Sequence, residues 1–194
     1  MTESMSTPRL RATFAINLAL VAAAPFVGPA SVSEGAYYAT GVLGFLLVAF
    51  ACLGRIWASV FIAGHKDAQL VTTGPYAACR HPLYACSMVG ALGLGVVTRS
   101  ALLCAILVIL IAALLVYAAS GEEQFLADAF PDEFKAYVAA TPNRWWPRLR
   151  RASLPESIDV RPSVLWKSFL DAGTFFLLYL LVAFAAEFRL HPAT

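Results

Sequence analysis

The stretch Ser100–Ala119, SALLCAILVILIAALLVYAA, contains no charged residue and decides the fold class. A helix needs about 20 apolar residues to cross the hydrocarbon core of a bilayer. The whole chain of 194 residues has the same character, with 60% hydrophobic and 13% charged residues and a mean hydropathy of +0.71. Soluble domains are about 45–50% apolar and about 25% charged. We therefore expect an all-α integral membrane protein, and the composition excludes an ordinary soluble domain, a disordered chain and a nucleic-acid-binding module.

Four more apolar segments are predicted to cross the membrane on either side of this stretch. The five predicted spans are roughly residues 12–32, 36–54, 82–98, 100–119 and 168–186. Lys and Arg residues are unevenly distributed over the loops, because twelve of the 14 fall on the side of the N-terminus and only Arg99 and Arg189 on the other. By the positive-inside rule, this predicts a cytoplasmic N-terminus and an outside C-terminus. We expect one membrane domain over 1–194, with the bilayer as a partner.

Two polar clusters lie at the predicted cytoplasmic ends of the third and fourth spans. The first is Gly74–Tyr84, GPYAACRHPLY, and the second is Gly121–Glu123. Only a turn around Arg99 connects the two spans, so they are expected to pack antiparallel and, at 1.5 Å per residue, to return the chain to the same membrane edge. Arg80 and His81 are therefore predicted to lie beside the two carboxylates.

The residue types in these clusters indicate a polar ligand site. Taken alone, the first cluster is explained by a helix that begins at Pro82, and the second by a solvated helix surface. Together, a His, an Arg and two carboxylates at a membrane edge with few charges indicate a binding or catalytic site. Tyr84 follows His81 by three residues and should share its helix face. His81, as a possible base, and Arg80 are the candidate catalytic residues.

Three glycines in the third span have two interpretations. They form the pattern Gly90-x-x-Gly93-x-Gly95, which is not a dinucleotide-binding fingerprint because no strand precedes it. Small residues allow helices to pack closely. They also let a flat cofactor approach the backbone.

Metal and disulfide chemistry is not expected from the cysteines. The chain has four of them and no CxxC or Cys/His ligand spacing. We therefore predict no metal ion and no disulfide, with Cys52, Cys79, Cys86 and Cys104 as small embedded thiols.

The motifs in combination resemble the isoprenylcysteine carboxyl methyltransferase family, a group of integral membrane enzymes that is also similar to phospholipid N-methyltransferases. The resemblance covers about residues 54–147, leaving 148–194 as a linker and a C-terminal span. It rests on the runs Leu70–Tyr76, Arg80–Tyr84, Glu122-Glu123 and Phe130–Tyr137.

The resemblance implies transfer of a methyl group from S-adenosylmethionine to a small or lipophilic acceptor. It also implies a cofactor pocket on the cytoplasmic side, closed by interfacial helices. The positions that match the family's cofactor-binding residues are Leu70, Val71, Gly74, Tyr76, His81, Pro82, Leu83, Tyr84, Gly93, Gly95, Glu122 and Glu123.

Two positions depart from the prenylcysteine enzymes. Those enzymes carry a His where this chain has Ala68, with His65 three positions earlier, and an Arg where it has Ala118. An Arg fork is the natural bidentate partner of a carboxylate. A prenylcysteine carboxylate is therefore not the expected acceptor, and oxygen, nitrogen and sulfur acceptors all stay open.

Two other functions remain as alternatives. A membrane reductase with a nicotinamide cofactor would have a similar helical layout, and its phosphate contacts would come from Arg144, Arg148, Arg150 and Arg151. A non-enzymatic membrane protein could use Asp171 and Glu187 in the last span as a polar path, although Asp171 is also four residues from Lys167 and suited to a local ion pair.

Overall fold

All regular secondary structure in the described part of the protein is helical. The computed structural model describes residues 2–29, 31–62, 69–147, 156, 158, 160 and 162–190. Its helices are α1 (Thr2–Ala23), α2 (Glu34–Ile62), α3 (Pro75–Ala78), α4 (Pro82–Val97), α5 (Ala101–Ala129), α6 (Pro131–Ala140) and α7 (Pro162–Leu190). The predicted all-α class is confirmed for these residues.

Among the described residues, three helices are long and apolar enough to cross a membrane. They are α2, α5 and the part of α7 from Leu165 to Phe188. The segment Arg11–Ala23 of α1 and the 16-residue α4 are apolar but shorter. At 1.5 Å per residue, 16 residues rise about 24 Å, less than a hydrocarbon core of about 30 Å. The second, fourth and fifth predicted spans are confirmed as candidate membrane helices; the first and third stay predictions.

All three of these helices continue beyond the predicted spans, and α7 reaches Leu190 rather than residue 186. α2 reaches Ile62 rather than residue 54, and α5 reaches Ala129 rather than residue 119. A predicted membrane span ends with its apolar run, but a polar side chain does not end a helix; a loss of backbone geometry does. α5 stops where Pro131 begins the next helix, and α1 stops two residues before Pro25.

Several predictions concern residues outside the described part of the chain. These are the departures at His65 and Ala68 and the basic residues Lys66, Arg148, Arg150, Arg151 and Arg161.

One compact unit comprises Met1–Phe50, Met88–Val116 and Thr174–Thr194. Within it, α2 and α4 approach each other at two glycines, since a Cβ on Gly93 would lie 2.8 Å from the Gly44 carbonyl oxygen. A Cβ on Gly95 would lie 2.7 Å from the Cys104 Sγ on α5. Gly93 and Gly95 therefore provide the close packing that small residues permit, and their contact with a cofactor stays a prediction.

The same unit contains a partly buried ion pair at the turn between α4 and α5. Arg99 there has a φ of 58°, and its Nη2 lies 3.6 Å from Glu187 Oε1. Its guanidinium also lies 4.1 Å from the centre of the Tyr37 ring, whose hydroxyl donates to Glu187 Oε1 at 2.7 Å. Glu187 thus has an electrostatic partner within the protein.

The second compact unit comprises Ala51–Ser87 and Tyr117–Gly173. In it, Arg55 on α2 donates from Nη1 to Ser87 Oγ on α4 at 2.5 Å. Cys52 Sγ donates to the carbonyl oxygen of Ala172 on α7 at 3.2 Å. These side-chain bonds tie α4 and α7 to α2, and this unit contains both predicted polar clusters.

Candidate functional site

The segment before α4 makes a sharp turn that requires glycine. Gly74 has a φ of 59°, and a Cβ there would overlap the side chain of Phe61. α3 follows directly, with Pro75 at its first position and Tyr76 buried. The Cys79 N–H donates to the Pro75 carbonyl at 3.2 Å, so the turn ends and the chain becomes extended just before His81.

The chain that follows α6 lies against this turn. Two backbone bonds join the segments: Arg80 N–H to the Asn143 carbonyl at 3.0 Å, and His81 N–H to the Arg144 carbonyl at 3.1 Å. On α6, the Tyr137 hydroxyl donates to the Tyr76 carbonyl at 2.8 Å. Residues far apart in the sequence are thereby fixed around the start of α4.

Three cationic or potentially cationic side chains converge on Glu123. His81 Nε2 lies 2.9 Å from its Oε1, and Arg144 contacts both oxygens, Nε to Oε1 at 3.1 Å and Nη2 to Oε2 at 3.0 Å. Arg80 Nε is 3.1 Å from Oε1, but its orientation does not form a hydrogen bond, so its contribution is electrostatic. Since Glu123 is only 20% exposed, these partners compensate for the loss of water around its charge.

Glu122 has a different environment from its neighbour. Its side chain is 36% exposed, and its Oε2 lies 3.7 Å from His81 Nδ1, beyond hydrogen-bond distance. Because the Glu123 carboxylate can only accept, the contact at Nε2 places the imidazole proton on Nε2. In the neutral ring, Nδ1 then carries the lone pair beside Glu122.

Two aromatic rings pack against the imidazole of His81. The ring of Tyr84 stacks on that of His81 with centroids 5.4 Å apart and an interplanar angle of 6°, as the shared helix face predicted. Trp145 lies on His81 at 5.5 Å and is tilted by 35°. The imidazole is only 6% exposed, so the rings exclude most water from it.

The hydroxyl of Tyr76 is buried and has no hydrogen-bond partner within the described structure. Burial first, and then the charge of Glu122, raise the pKa of Tyr76 well above its ordinary value. Burial likewise raises the pKa of Tyr137. Both phenols are therefore protonated at neutral pH, and the Tyr76 hydroxyl is a polar group that a ligand atom can satisfy.

The remaining predicted site residues fall in two groups. Leu70 and Val71 are half-buried in the segment before the turn, while Pro82 is buried at the start of α4 and the Leu83 carbonyl accepts from Ser87 Oγ at 2.8 Å. Gly93 and Gly95 belong to the other compact unit. The predicted convergence of the His-Arg pair with the two acids is thus present.

Arg144 is the residue that the sequence reasoning did not assign to this site. The sequence suggests it only as a phosphate contact for a nicotinamide cofactor. A charge count gave a signal, because two acids beside one Arg and a neutral His leave one negative charge without a partner. The charge count does not identify which of the later arginines reaches Glu123.

Comparison with known proteins finds a family model that matches the central segment of the chain. The model of the isoprenylcysteine carboxyl methyltransferase (ICMT) family matches residues 40–128. Similar curated proteins are the cobalt-zinc-cadmium resistance protein CzcN of Cupriavidus metallidurans, 46% identical over 107 residues, and the nickel-cobalt-cadmium resistance protein NccN of Alcaligenes xylosoxydans xylosoxydans, 45% identical over 107 residues. Each comparison covers 55% of this chain and 49% of the relative, so the chain spans about half the length of the curated relatives it matches. No solved structure matches the chain.

The matched segment contains the turn at Gly74, His81 and the two carboxylates, whereas Tyr137, Arg144 and Trp145 lie beyond it. The resemblance drawn from the motifs is confirmed over residues 40–128, where the model of the isoprenylcysteine carboxyl methyltransferase family matches.

Proposed function

We propose that this protein transfers a methyl group from S-adenosylmethionine to a lipophilic acceptor at the cytoplasmic edge of the membrane. The observation that carries the proposal is the convergence of His81, Glu122 and Glu123, all within the family-matched segment, beside stacked aromatic rings. Family members are methyltransferases, and the site has the polar and flat surfaces that a nucleoside requires.

The residues present fit the chemical groups of S-adenosylmethionine. Its amino group and ribose hydroxyls need an acceptor, and Glu122 offers a carboxylate that no hydrogen bond to His81 occupies. Its adenine needs flat apolar surface and polar edges, which Tyr84, Trp145 and the backbone around Gly74–Tyr76 can supply. The buried Tyr76 hydroxyl gains the partner that it lacks in the described structure if a ligand atom reaches it.

Each protein group then has a distinct task. When bound, S-adenosylmethionine supplies an activated methyl group. Glu122 holds the amino or ribose end, because a carboxylate beside the sulfonium would stabilise the positively charged ground state and slow transfer. His81 accepts a proton at Nδ1 from an acceptor that arrives protonated, while Glu123 keeps the other ring proton on Nε2. The rings keep water away from the reacting atoms.

The acceptor is proposed to be lipophilic and not a prenylcysteine carboxylate. Ala118 supplies no guanidinium to a carboxylate, and the Arg144 guanidinium is bonded to Glu123 and Ser120. Large apolar side chains are exposed along α2, α5 and α7, which suits helices that face lipid. An acceptor dissolved in the bilayer would enter laterally between such helices.

The two relatives suggest a physiological setting. Both are named as resistance proteins for divalent metals, so we extend the proposal to a contribution to metal tolerance. The described residues contain no group of three or more His, Cys, Asp or Glu side chains placed to hold a metal ion. The contribution proposed is therefore methylation of a membrane component rather than chelation. Metal tolerance of cells with wild-type protein, and with Glu122→Gln, tests it: equal tolerance would contradict this extension.

Binding of S-adenosylhomocysteine in detergent, measured by calorimetry, tests the enzymatic proposal. We expect wild type to bind, and Glu122→Gln and His81→Asn to bind at least tenfold more weakly. Glu133→Gln is the matched control, since it removes an exposed carboxylate from α6 and should bind as wild type does. Absence of wild-type binding at millimolar ligand, or saturable binding of a reduced nicotinamide cofactor in its place, would refute the proposal.

A further inference from the structure

Arg144 contacts the site through two nitrogens of its guanidinium, Nε and Nη2. Nε donates to Glu123 Oε1 at 3.1 Å, and Nη2 forms an ion pair with Glu123 Oε2 at 3.0 Å. Nη2 also donates to Ser120 Oγ at 3.0 Å. The guanidinium carbon lies 5.5 Å from the centre of the Trp145 ring. Such a paired contact needs the planar fork of arginine; the point charge of lysine cannot reproduce it.

The backbone of the same residue holds the other partner of the pair. The Arg144 carbonyl accepts the His81 N–H at 3.1 Å, while its side chain holds Glu123. One residue therefore sets the positions of both the imidazole and the carboxylate that bonds to it.

Arg80 does not hold the Glu123 carboxylate in the way that Arg144 does. Its Nε approaches the same oxygen, Oε1, that His81 contacts, and it forms no hydrogen bond there. A carboxylate held at one oxygen can still rotate about its last bond. Arg144 reaches Oε2 as well, so it fixes the plane of the Glu123 carboxylate.

We infer that Arg144 is a positioning residue of the proposed methyl-transfer site. By fixing the Glu123 carboxylate, Arg144 holds the His81 proton on Nε2. In the neutral ring, Nδ1 is then the unprotonated nitrogen, and it faces Glu122, where the ligand is proposed to bind. Arg144 lies beyond residues 40–128, so this part of the site is supplied from outside the family-matched segment. The inference rests on the proposed function for its role, but its geometry can be tested separately.

The test combines histidine ¹⁵N NMR with S-adenosylhomocysteine binding by calorimetry, both on the full chain in detergent. The sequence has three histidines, and His81→Asn assigns the signal of interest. We expect the wild-type signal to report a proton on Nε2. Arg144→Gln should give a mixture of the two tautomers and about tenfold weaker binding, because a charge-assisted bond is worth about one such factor. Arg144→Lys should recover part of both effects, and the control Lys135→Gln, at an exposed position on α6, should change neither.

An unchanged His81 signal together with unchanged affinity in Arg144→Gln would overturn the inference. So would weaker binding with an unchanged tautomer, since that pattern indicates general structural damage. If Arg144→Gln does not yield folded protein, Arg144→Lys decides by the same two criteria. If wild type itself binds no S-adenosylhomocysteine, the proposed function fails, while the tautomer comparison still decides whether Arg144 positions His81.

Discussion

The two adjacent carboxylates should respond differently to the same substitution, Glu123→Gln by losing stability and Glu122→Gln by losing ligand affinity. Glu123→Gln preserves shape but removes the negative charge that faces Arg80 and Arg144, which are 12% and 27% exposed. A hydrogen bond to a charged group contributes about 1.5–3 kcal/mol. The amide oxygen keeps part of this, and partial exposure screens the rest, so we expect a loss of about 2–3 kcal/mol in the free energy of unfolding.

This loss is measurable as a change in melting temperature. For a chain of this size, 1 kcal/mol shifts Tm by about 2–4 °C, so Glu123→Gln should lower it by about 4–12 °C in detergent. Glu122→Gln, whose closest described partner is 3.7 Å away, should leave Tm within about 1 °C and reduce S-adenosylhomocysteine affinity. Equal shifts in the two variants, or no shift in Glu123→Gln, would refute this division of roles.

Three further predictions concern the turn before α4. Gly74→Ala should lower the free energy of unfolding by about 1–3 kcal/mol. Adding Phe61→Ala removes the overlap with the new Cβ but not the positive φ, so it should recover only part of that loss. Thermal unfolding of the single and double variants checks this. Tyr76→Phe removes a buried hydroxyl that has no partner in the described structure. We therefore expect the free energy of unfolding to rise by about 1 kcal/mol and S-adenosylhomocysteine to bind more weakly. An unchanged Kd would contradict a contact between this hydroxyl and the ligand. Burial raises the pKa of Cys79 from 9.0 to about 11. Its thiol should therefore resist iodoacetamide at pH 8 until the protein unfolds, which mass spectrometry can measure. The free energy of unfolding should fall as pH rises from 9 towards 11, because the thiol ionises in the unfolded chain first.

The convergence of His81 with the acids could be predicted because it depends on local geometry. Residues 98–100 alone separate α4 from α5, so the two helices have to run antiparallel, and a constant rise per residue fixes which positions meet. The stacking of Tyr84 on His81 follows from the same helical periodicity.

The contribution of Arg144 could not be predicted in the same way. It reaches Glu123 only because the chain after α6 turns back and forms two backbone bonds with residues 80 and 81. Extended segments have no periodicity that reveals their path. The Tyr137 hydroxyl bond to Tyr76, which fixes α6 against the turn, is a tertiary feature.

α5 continues without a break beyond the predicted membrane span 100–119. Ser120-Gly121-Glu122-Glu123 has the composition of a helix end, and its intrinsic helix propensity is low at Gly121. The helix nevertheless continues to Ala129, and Glu123 on it is held by His81 and Arg144. Tertiary contacts thus outweigh local propensity at the position where the site forms.

The most direct test of the central claim is an experimental structure of the full chain with S-adenosylhomocysteine bound. We predict that the ligand lies against the Tyr84 ring, with a polar group in hydrogen-bond distance of the Glu122 carboxylate and another satisfying the Tyr76 hydroxyl. Ligand bound elsewhere, with His81 and Glu122 uncontacted, would contradict the assignment of this site.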